Sequence, residues 1–139
     1  MSAIKALLDT NVLIDFMVPD RPGSEAAAQI VAAAGSDDLS AIISAGALKD
    51  AYYIVRKHYD DDYVRTCLNE FMELAEVAPV DRACCELALH SDEPDFEDGI
   101  VRVIAESNDA NFIVTRDATA FANSGVKTIE PARLAELFG

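Results

Sequence analysis

The chain has 139 residues, with 11 Lys and Arg against 25 Asp and Glu, so its formal net charge is −14. The length suits a single domain over residues 1–139 and excludes a multidomain enzyme. Hydrophobic residues make up 51% of the chain, which is enough for a core and argues against disorder. The charge disfavours tight, unaided binding to a phosphate backbone, because such binding depends on many Lys and Arg contacts. The carboxylates are therefore surface charge or, in part, ligands of a metal ion.

Short apolar runs alternate with helical patterns along the whole chain. Strands are predicted at Ala3–Leu8, Leu39–Ser44, Val77–Val80, Phe112–Thr115 and Val126–Ile129. Helices are predicted at Asn11–Met17, Ser24–Gly35 with Ser24 as the N-cap, Ala45–Tyr59, Asp60–Leu74, Asp81–His90, Phe96–Ser107 and Pro131–Leu137. This alternation predicts the α/β class, as a three-layer α/β/α sandwich with a central, mostly parallel sheet. In such folds the ligand site lies at the carboxyl ends of the strands.

Two aspartates stand at the carboxyl ends of predicted strands. Asp9 directly follows Leu8, and Asp117 follows the apolar run that ends in Thr115 and Arg116. Each could simply cap a turn or helix. Because parallel strands end at the same edge of a sheet, the two carboxylates are also candidates for one shared site.

Further acids lie near the starts of two predicted helices. Asp50 is one turn into its helix, and it is either a solvated acid beside Lys49 or a carboxylate near the core that needs a cation. Asp95 and Asp98 are three residues apart at a helix start, where negative charge is favoured. Either could face a site, and Asp95 could also be a cap.

Four carboxylates brought together would repel one another, and a divalent cation removes that repulsion. Oxygen ligands without His or Cys select Mg²⁺ or Mn²⁺, and such sites usually hydrolyse phosphodiesters. With 2 His and 3 Cys, a zinc site is not expected. The odd cysteine count fits a reducing, cytoplasmic setting, and we expect no signal peptide and no membrane span.

Several motifs resemble the PIN domain family, and within it the VapC-type toxin ribonucleases. The segment LLDTNVLID at 7–15 is similar to the family's opening motif, and DFEDGI at 95–100 is similar to its third acidic motif. The segment IVTRD at 113–117 resembles the last motif, and EPARL at 130–134 resembles the family's closing helix. The resemblance covers nearly the whole chain.

Two positions depart from the family pattern. The family's second acid is usually Glu, and the matching residue here is Asp50. Many relatives carry another acid three residues after the last motif, where this chain has Ala120.

The resemblance implies a Mg²⁺- or Mn²⁺-dependent endoribonuclease, with RNA as its substrate. The four acids that would hold metal and carry the catalysis are Asp9, Asp50, Asp98 and Asp117. The residues that would support them are Thr10, Asn11, Asp95, Thr115 and Arg116. Of these, Asn11 and Thr115 would orient carboxylates through hydrogen bonds. Arg116 would contact the substrate phosphate or, equally, form a surface ion pair.

The family also implies partners. A small antitoxin would cover the acidic groove with a basic segment, which a strongly negative surface would attract. A homodimer would form through the helices at 45–59 and 61–74. The aromatic residues that would form this surface, or would instead be core, are Tyr52, Tyr53, Tyr63 and Phe71.

Two other functions are weighed against the nuclease. A catalytically weak or inactive PIN-fold protein, acting as a binding module or scaffold, is consistent with the departures at Asp50 and Ala120. A haloacid-dehalogenase-type phosphatase is disfavoured, because it needs an Asp where this chain has Asn11.

Overall fold

The computed structural model describes residues 3–117 and 119–139. Its single sheet has the strand order β3-β2-β1-β4-β5, and every neighbouring pair is parallel. The strands are β1 at Ile4–Leu8, β2 at Leu39–Ser44, β3 at Ala75–Ala78, β4 at Phe112–Val114 and β5 at Lys127–Ile129. The predicted α/β class and the parallel sheet are confirmed.

Helices cover both faces of the sheet. They are α1 at Thr10–Met17, α2 at Ser24–Gly35, α3 at Ala45–Val55, α4 at Asp61–Leu74, α5 at Arg82–Leu89, α6 at Phe96–Ser107 and α7 at Pro131–Glu136. One face packs against α1, α2, α3, α4 and α7, and the other packs against α5 and α6. The result is the predicted three-layer α/β/α sandwich.

Strand β1 explains why the first apolar run does not alternate with polar residues. Ala6 and Leu8 contribute to the core on one face, whereas Leu7 contributes to the core on the other. All three are at most 2% exposed. A strand covered on both faces needs apolar residues at successive positions.

The strand order places a crevice beside β1. The chain first extends the sheet outward from β1 through β2 to β3, and then crosses back to add β4 and β5 on the other side of β1. The direction of winding therefore reverses between β1 and β4. In open parallel sheets, ligands bind at such a reversal, outside the carboxyl ends of the two strands. Asp9 and Thr115 directly follow β1 and β4.

Strand β3 differs slightly from its predicted limits, whereas helix α2 has the predicted limits but a different cap. Strand β3 ends before Pro79 rather than reaching Val80, because proline has no amide hydrogen to donate to a neighbouring strand. Ser24 is not the N-cap of α2. Its hydroxyl donates to the Pro19 carbonyl, 2.9 Å away, and Gly23 occupies the cap position without a side-chain bond.

Three of the four aromatic residues predicted for a dimer surface have partners within this chain. Phe71 is 1% exposed in the core. The Tyr52 hydroxyl donates to the Asp61 carboxylate, and the Tyr63 hydroxyl donates to the Met17 carbonyl. Tyr53 differs, because it is 68% exposed.

None of the helices formed by residues 3–117 and 119–139 combines the length and the apolar character needed to cross a membrane.

Candidate functional site

An open cavity of about 430 Å³ lies at the carboxyl ends of β1 and β4. The acidic residues that line it are Asp9, Asp50, Glu97, Asp98 and Asp117. All four aspartates predicted from the sequence are therefore at one site, although the junction of β1 and α1, helices α3 and α6, and the segment after β4 contribute them separately. Thr10, Asn11 and Thr115, predicted as supporting residues, also line it.

Asp9 links the first helix to the strand beside it. As the N-cap of α1, it accepts a hydrogen bond on Oδ1 from the Thr10 amide at 2.8 Å. Its other oxygen, Oδ2, accepts one from the Thr115 hydroxyl at 3.1 Å. Burial raises the pKa of Asp9 above the ordinary aspartate value, and these two hydrogen bonds offset part of that effect. Asp9 is thus both a cap and a cavity residue.

Asp117 is held by the backbone around it. Its amide donates to the Thr115 hydroxyl at 3.1 Å, so this one hydroxyl connects Asp117 to Asp9. Its Oδ1 accepts hydrogen bonds from the Thr119 hydroxyl at 2.7 Å and from the amides of Thr119 and Ala120. These bonds, led by the Thr119 hydroxyl, lower the pKa of Asp117. This carboxylate is fixed and ionised.

Asp98 lies in the first turn of α6. Asp95 is the N-cap of that helix and accepts the Asp98 amide at 3.0 Å, so Asp95 acts as a cap and does not line the cavity. Burial raises the pKa of Asp98 to about 6, and the neighbouring carboxylates add to the effect, in the order Asp95, Asp9, Glu93 and Asp117. A carboxylate with such neighbours favours a bound cation.

Asp50 lies at the side of the cavity formed by α3. Its side chain is 42% exposed, and its Oδ1 is 3.1 Å from the Lys49 ammonium. Because an aspartate is one methylene shorter than the glutamate usual in the family, its carboxylate remains near the helix that carries it. Asp50 is therefore an acid beside Lys49, which was one of the two alternatives from the sequence, and it also borders the cavity.

The donor set suits a hard cation, but the carboxylates do not form a closed cage. Within residues 3–117 and 119–139, no three His, Cys, Asp or Glu side chains are close enough together to hold a metal ion. Mg²⁺ keeps several waters and commonly uses one or two carboxylates together with substrate phosphates. Asp9, Asp98 and Asp117 can supply carboxylates in this way, so the residues present fit Mg²⁺ or Mn²⁺.

Arg116 does not line the acidic cavity; its guanidinium lies 3.2 Å from Asp15. Asp15 is 1% exposed and also pairs with Arg21 at 2.7 Å. Gly23 packs so closely against this group that a Cβ at that position would overlap the Asp15 carboxylate. The ion pair anticipated for Arg116 therefore has a buried acid as its partner rather than a surface one.

Two acidic residues near the site were not singled out from the sequence. Glu97 lines the cavity directly. Glu93 is 3% exposed, affects the pKa of Asp98, and accepts a hydrogen bond from the Phe121 amide at 3.0 Å. Its position depends on a residue 28 places along the chain, which no local pattern indicates.

The fold and the acidic cavity together define a class of α/β protein. In this class, carboxylates lie where the winding direction of a parallel sheet reverses. The family model for the PIN domain matches residues 5–119, so the chain belongs to the PIN domain family. No curated protein matches the chain in sequence.

Solved structures with similar folds include toxins and toxin–antitoxin complexes. VapC20 of Mycobacterium tuberculosis, a Sarcin-Ricin loop cleaving toxin, has a TM-score of 0.69 at 13% identity, over 87% of this chain and 95% of that one. A toxin–antitoxin complex from Klebsiella pneumoniae has a TM-score of 0.67 at 21% identity, over 91% of this chain and 97% of that one. VapBC2 of Rickettsia felis, bound to a promoter DNA fragment, has a TM-score of 0.64 at 14% identity, over 91% of this chain and 98% of that one. At these identities the likeness establishes the fold alone.

Proposed function

We propose that the protein is a Mg²⁺- or Mn²⁺-dependent endoribonuclease of the VapC type, the toxin of a toxin–antitoxin pair. One observation carries this proposal. Asp9, Asp98 and Asp117 come from separate elements to line one cavity, and in the described part of the chain none of them forms an ion pair with Lys or Arg. Uncompensated carboxylates at one point favour a divalent cation and, through it, a phosphate.

The chain's own residues have distinct tasks in this reaction. The Thr115 hydroxyl donates a hydrogen bond to the Asp9 carboxylate and accepts one from the Asp117 amide, so it fixes these two residues relative to each other. Hydrogen bonds from the Thr119 hydroxyl and from the amides of Thr119 and Ala120 keep Asp117 ionised. The Asp95 cap fixes the turn that carries Asp98. Asp9, Asp98 and Asp117 would hold Mg²⁺, which would supply an activated water and stabilise charge on the phosphate. A carboxylate of the cavity takes the proton from the attacking water.

A partner that masks the acidic cavity fits the same charge distribution. The net charge of −14 would attract a basic segment of a small antitoxin, which we propose as the tighter ligand. The same charge makes RNA contact weak and transient, because most of the surface repels phosphates. We place this activity in the cytoplasm, consistent with unpaired Cys67, Cys84 and Cys85.

The first test is cleavage of single-stranded RNA by purified protein with Mg²⁺ or Mn²⁺. We expect Asp9→Asn to lower the cleavage rate at least about 100-fold, because it removes a carboxylate charge from the site while leaving a side chain that can still cap α1. Asp62→Asn, an exposed aspartate in the first turn of α4, is the matched control and should cleave like the wild type.

A non-catalytic scaffold is the second candidate. The pairing of Asp50 with Lys49, and the lack of a three-acid ligand group in the described residues, favour it. If wild-type protein and Asp9→Asn act equally on a broad set of RNAs with either metal, the nuclease proposal is wrong. Tight binding of a basic partner by both proteins would then support the scaffold.

A further inference from the structure

A second cavity, of about 450 Å³, adjoins the acidic one and has the opposite character. Its polar lining includes Arg21, Lys57 and His58, and none of its lining residues is Asp or Glu. In a chain with 25 acidic residues, a cavity lined in this way is notable. Ile14 and Ile54 line both cavities, so the two are adjacent at these side chains.

The cations of this basic cavity are only partly neutralised. Arg21 shares a single carboxylate, that of the 1% exposed Asp15, with Arg116, which is beside this cavity but does not line it. The two guanidinium groups are more accessible, with side chains 35% and 44% exposed. One negative charge beneath two positive ones leaves a net positive surface facing solvent. Lys57, which is exposed on α3's C-terminal side, forms no ion pair within the described residues and adds to that surface.

Tyr53 belongs to the acidic cavity and contacts Lys57, a residue of the basic cavity. It is on the rim of the acidic cavity, and it is 68% exposed. The Lys57 ammonium lies 4.8 Å from the centre of the Tyr53 ring. This cation–π contact holds a positive charge beside an exposed aromatic face. Sites that bind single-stranded nucleic acid combine these two elements, an aromatic face for bases and a cation for the backbone.

We propose that the basic cavity and Tyr53 form the track for the RNA strand that flanks the scissile phosphate. In this arrangement the strand leaves the acidic cavity across Ile14 and Ile54. A base stacks on Tyr53, and the following phosphates contact Lys57 and Arg21. The proposal rests on the nuclease function and specifies where its substrate lies. A polynucleotide is favoured over a polypeptide because each nucleotide supplies both a π face and a phosphate, which match the exposed ring and the cations beside it.

The test measures RNA binding separately from cleavage. A fluorescein-labelled single strand of mixed sequence, about 12 nucleotides long, is titrated by anisotropy with Ca²⁺ in place of Mg²⁺, and a gel confirms that the RNA stays intact. We expect Tyr53→Leu to weaken binding about tenfold, and Tyr53→Phe to retain it, since stacking needs only the ring. Lys57→Gln should weaken binding and reduce the slope of log affinity against log salt by about 0.7, whereas Lys57→Arg should keep the wild-type slope.

Lys127→Gln is the matched control for charge. Lys127 is exposed at the amino end of β5, away from the carboxyl edge of the sheet, so its loss should leave affinity and salt slope almost unchanged. Because Tyr53 and Lys57 are exposed, all variants should show wild-type thermal melting by circular dichroism.

The outcomes separate this track from the nuclease function itself. If the wild type cleaves RNA but Tyr53→Leu and Lys57→Gln bind it with wild-type affinity and salt slope, the track is wrong and the nuclease proposal stands. If the wild type neither binds nor cleaves RNA, both fail. If the variants keep RNA affinity but lose a polypeptide partner or change the sedimentation coefficient, this surface binds protein, and the RNA track is overturned.

Discussion

Two groups of carboxylates lie close together in this molecule and differ in whether a side-chain cation accompanies them. In the first, which we call the Arg102 cluster, Asp92, Glu93 and Glu106 all contact the guanidinium of Arg102. The second is the acidic cavity, in which the described residues provide no Lys or Arg partner for Asp98. Helix α6 contributes to both groups, so local sequence does not account for the difference.

The pKa values of Glu106 and Asp98, one carboxyl from each group, reflect this difference. Burial opposes ionisation of Glu106, but hydrogen bonds from Ser124, the Gly125 amide and Arg102 outweigh it and lower the pKa of that carboxyl. Burial raises the pKa of Asp98 to about 6, with neighbouring carboxylates adding to the shift. The lowered pKa means that ionised Glu106 stabilises the fold, whereas the raised pKa means that ionised Asp98 destabilises it. A bound ion would reverse the effect of Asp98.

Removing the cation from the Arg102 cluster should produce the largest change in stability. We expect Arg102→Met to lower the free energy of unfolding by about 3 kcal/mol, because Glu93, at 3% exposure, would be left buried without a cation. Urea denaturation followed by circular dichroism measures this change. Adding Glu93→Gln to Arg102→Met should recover part of the loss, since the uncompensated charge is then gone.

Arg82→Met is the matched control for that experiment. Arg82 pairs with Glu86 at 2.9 Å one turn along α5, but its side chain is 91% exposed. An exposed pair of this kind contributes less than about 1 kcal/mol. If Arg82→Met and Arg102→Met destabilise the protein equally, the contrast between the Arg102 cluster and the acidic cavity is wrong.

Removing the charge of Asp98 from the acidic cavity should raise the stability of the metal-free protein rather than lower it. Between about pH 4 and 6 the folded protein binds more protons at Asp98 than the unfolded chain does, so stability falls as pH rises through this window. We therefore expect Asp98→Asn to stabilise metal-free protein at pH 7 by about 1 kcal/mol, a value reduced for the partial exposure of this side chain. The gain should disappear at pH 4. Thermal melting in EDTA at the two pH values measures it.

Adding Mg²⁺ provides the control for that result. The wild type should gain more in melting temperature than Asp98→Asn, because the ion stabilises only a cavity that retains its negative charge. If Asp98→Asn is less stable than the wild type at both pH values, the Asp98 carboxylate has a compensating partner, and the contrast with the Arg102 cluster does not hold.

The parts of the molecule that the sequence predicts are those set by local rules. Strand β1 was identified from its unbroken apolar run, and Asp9 from its place at the end of that run. The parallel topology then brings Asp117 to the same crevice, because β1 and β4 are neighbours in the sheet. Asp50 and Asp98 were identified as candidates from their places near the starts of helices, and the PIN resemblance joined all four aspartates into one site.

The parts that escaped prediction depend on loops folding back across the sheet. Phe121 has a φ of 65°, a left-handed conformation rare outside glycine, and this turn directs its amide to Glu93. Arg116 has Asp15 as its partner because the crevice brings the ends of α1 and β4 together. Neither pairing follows from spacing along the chain. Whether a residue's charge is compensated is decided by such contacts, so the sequence shows which acids meet but not which remain free.

Asp50 lies between the two kinds of carboxylate and offers the smallest and most specific test. It borders the acidic cavity, yet it pairs with Lys49 as the Arg102 cluster pairs with its cation. We expect Asp50→Glu to strengthen Mn²⁺ binding a few-fold, measured by isothermal titration calorimetry, because one more methylene extends the carboxylate toward the cavity. Lys49→Gln should also strengthen it, since it frees the carboxylate without moving it. If only Lys49→Gln has an effect, the ion pair rather than side-chain length limits Asp50. If neither variant changes Mn²⁺ affinity while Asp9→Asn abolishes it, Asp50 belongs with the structural carboxylates and the ion is held by the side of the crevice between β1 and β4.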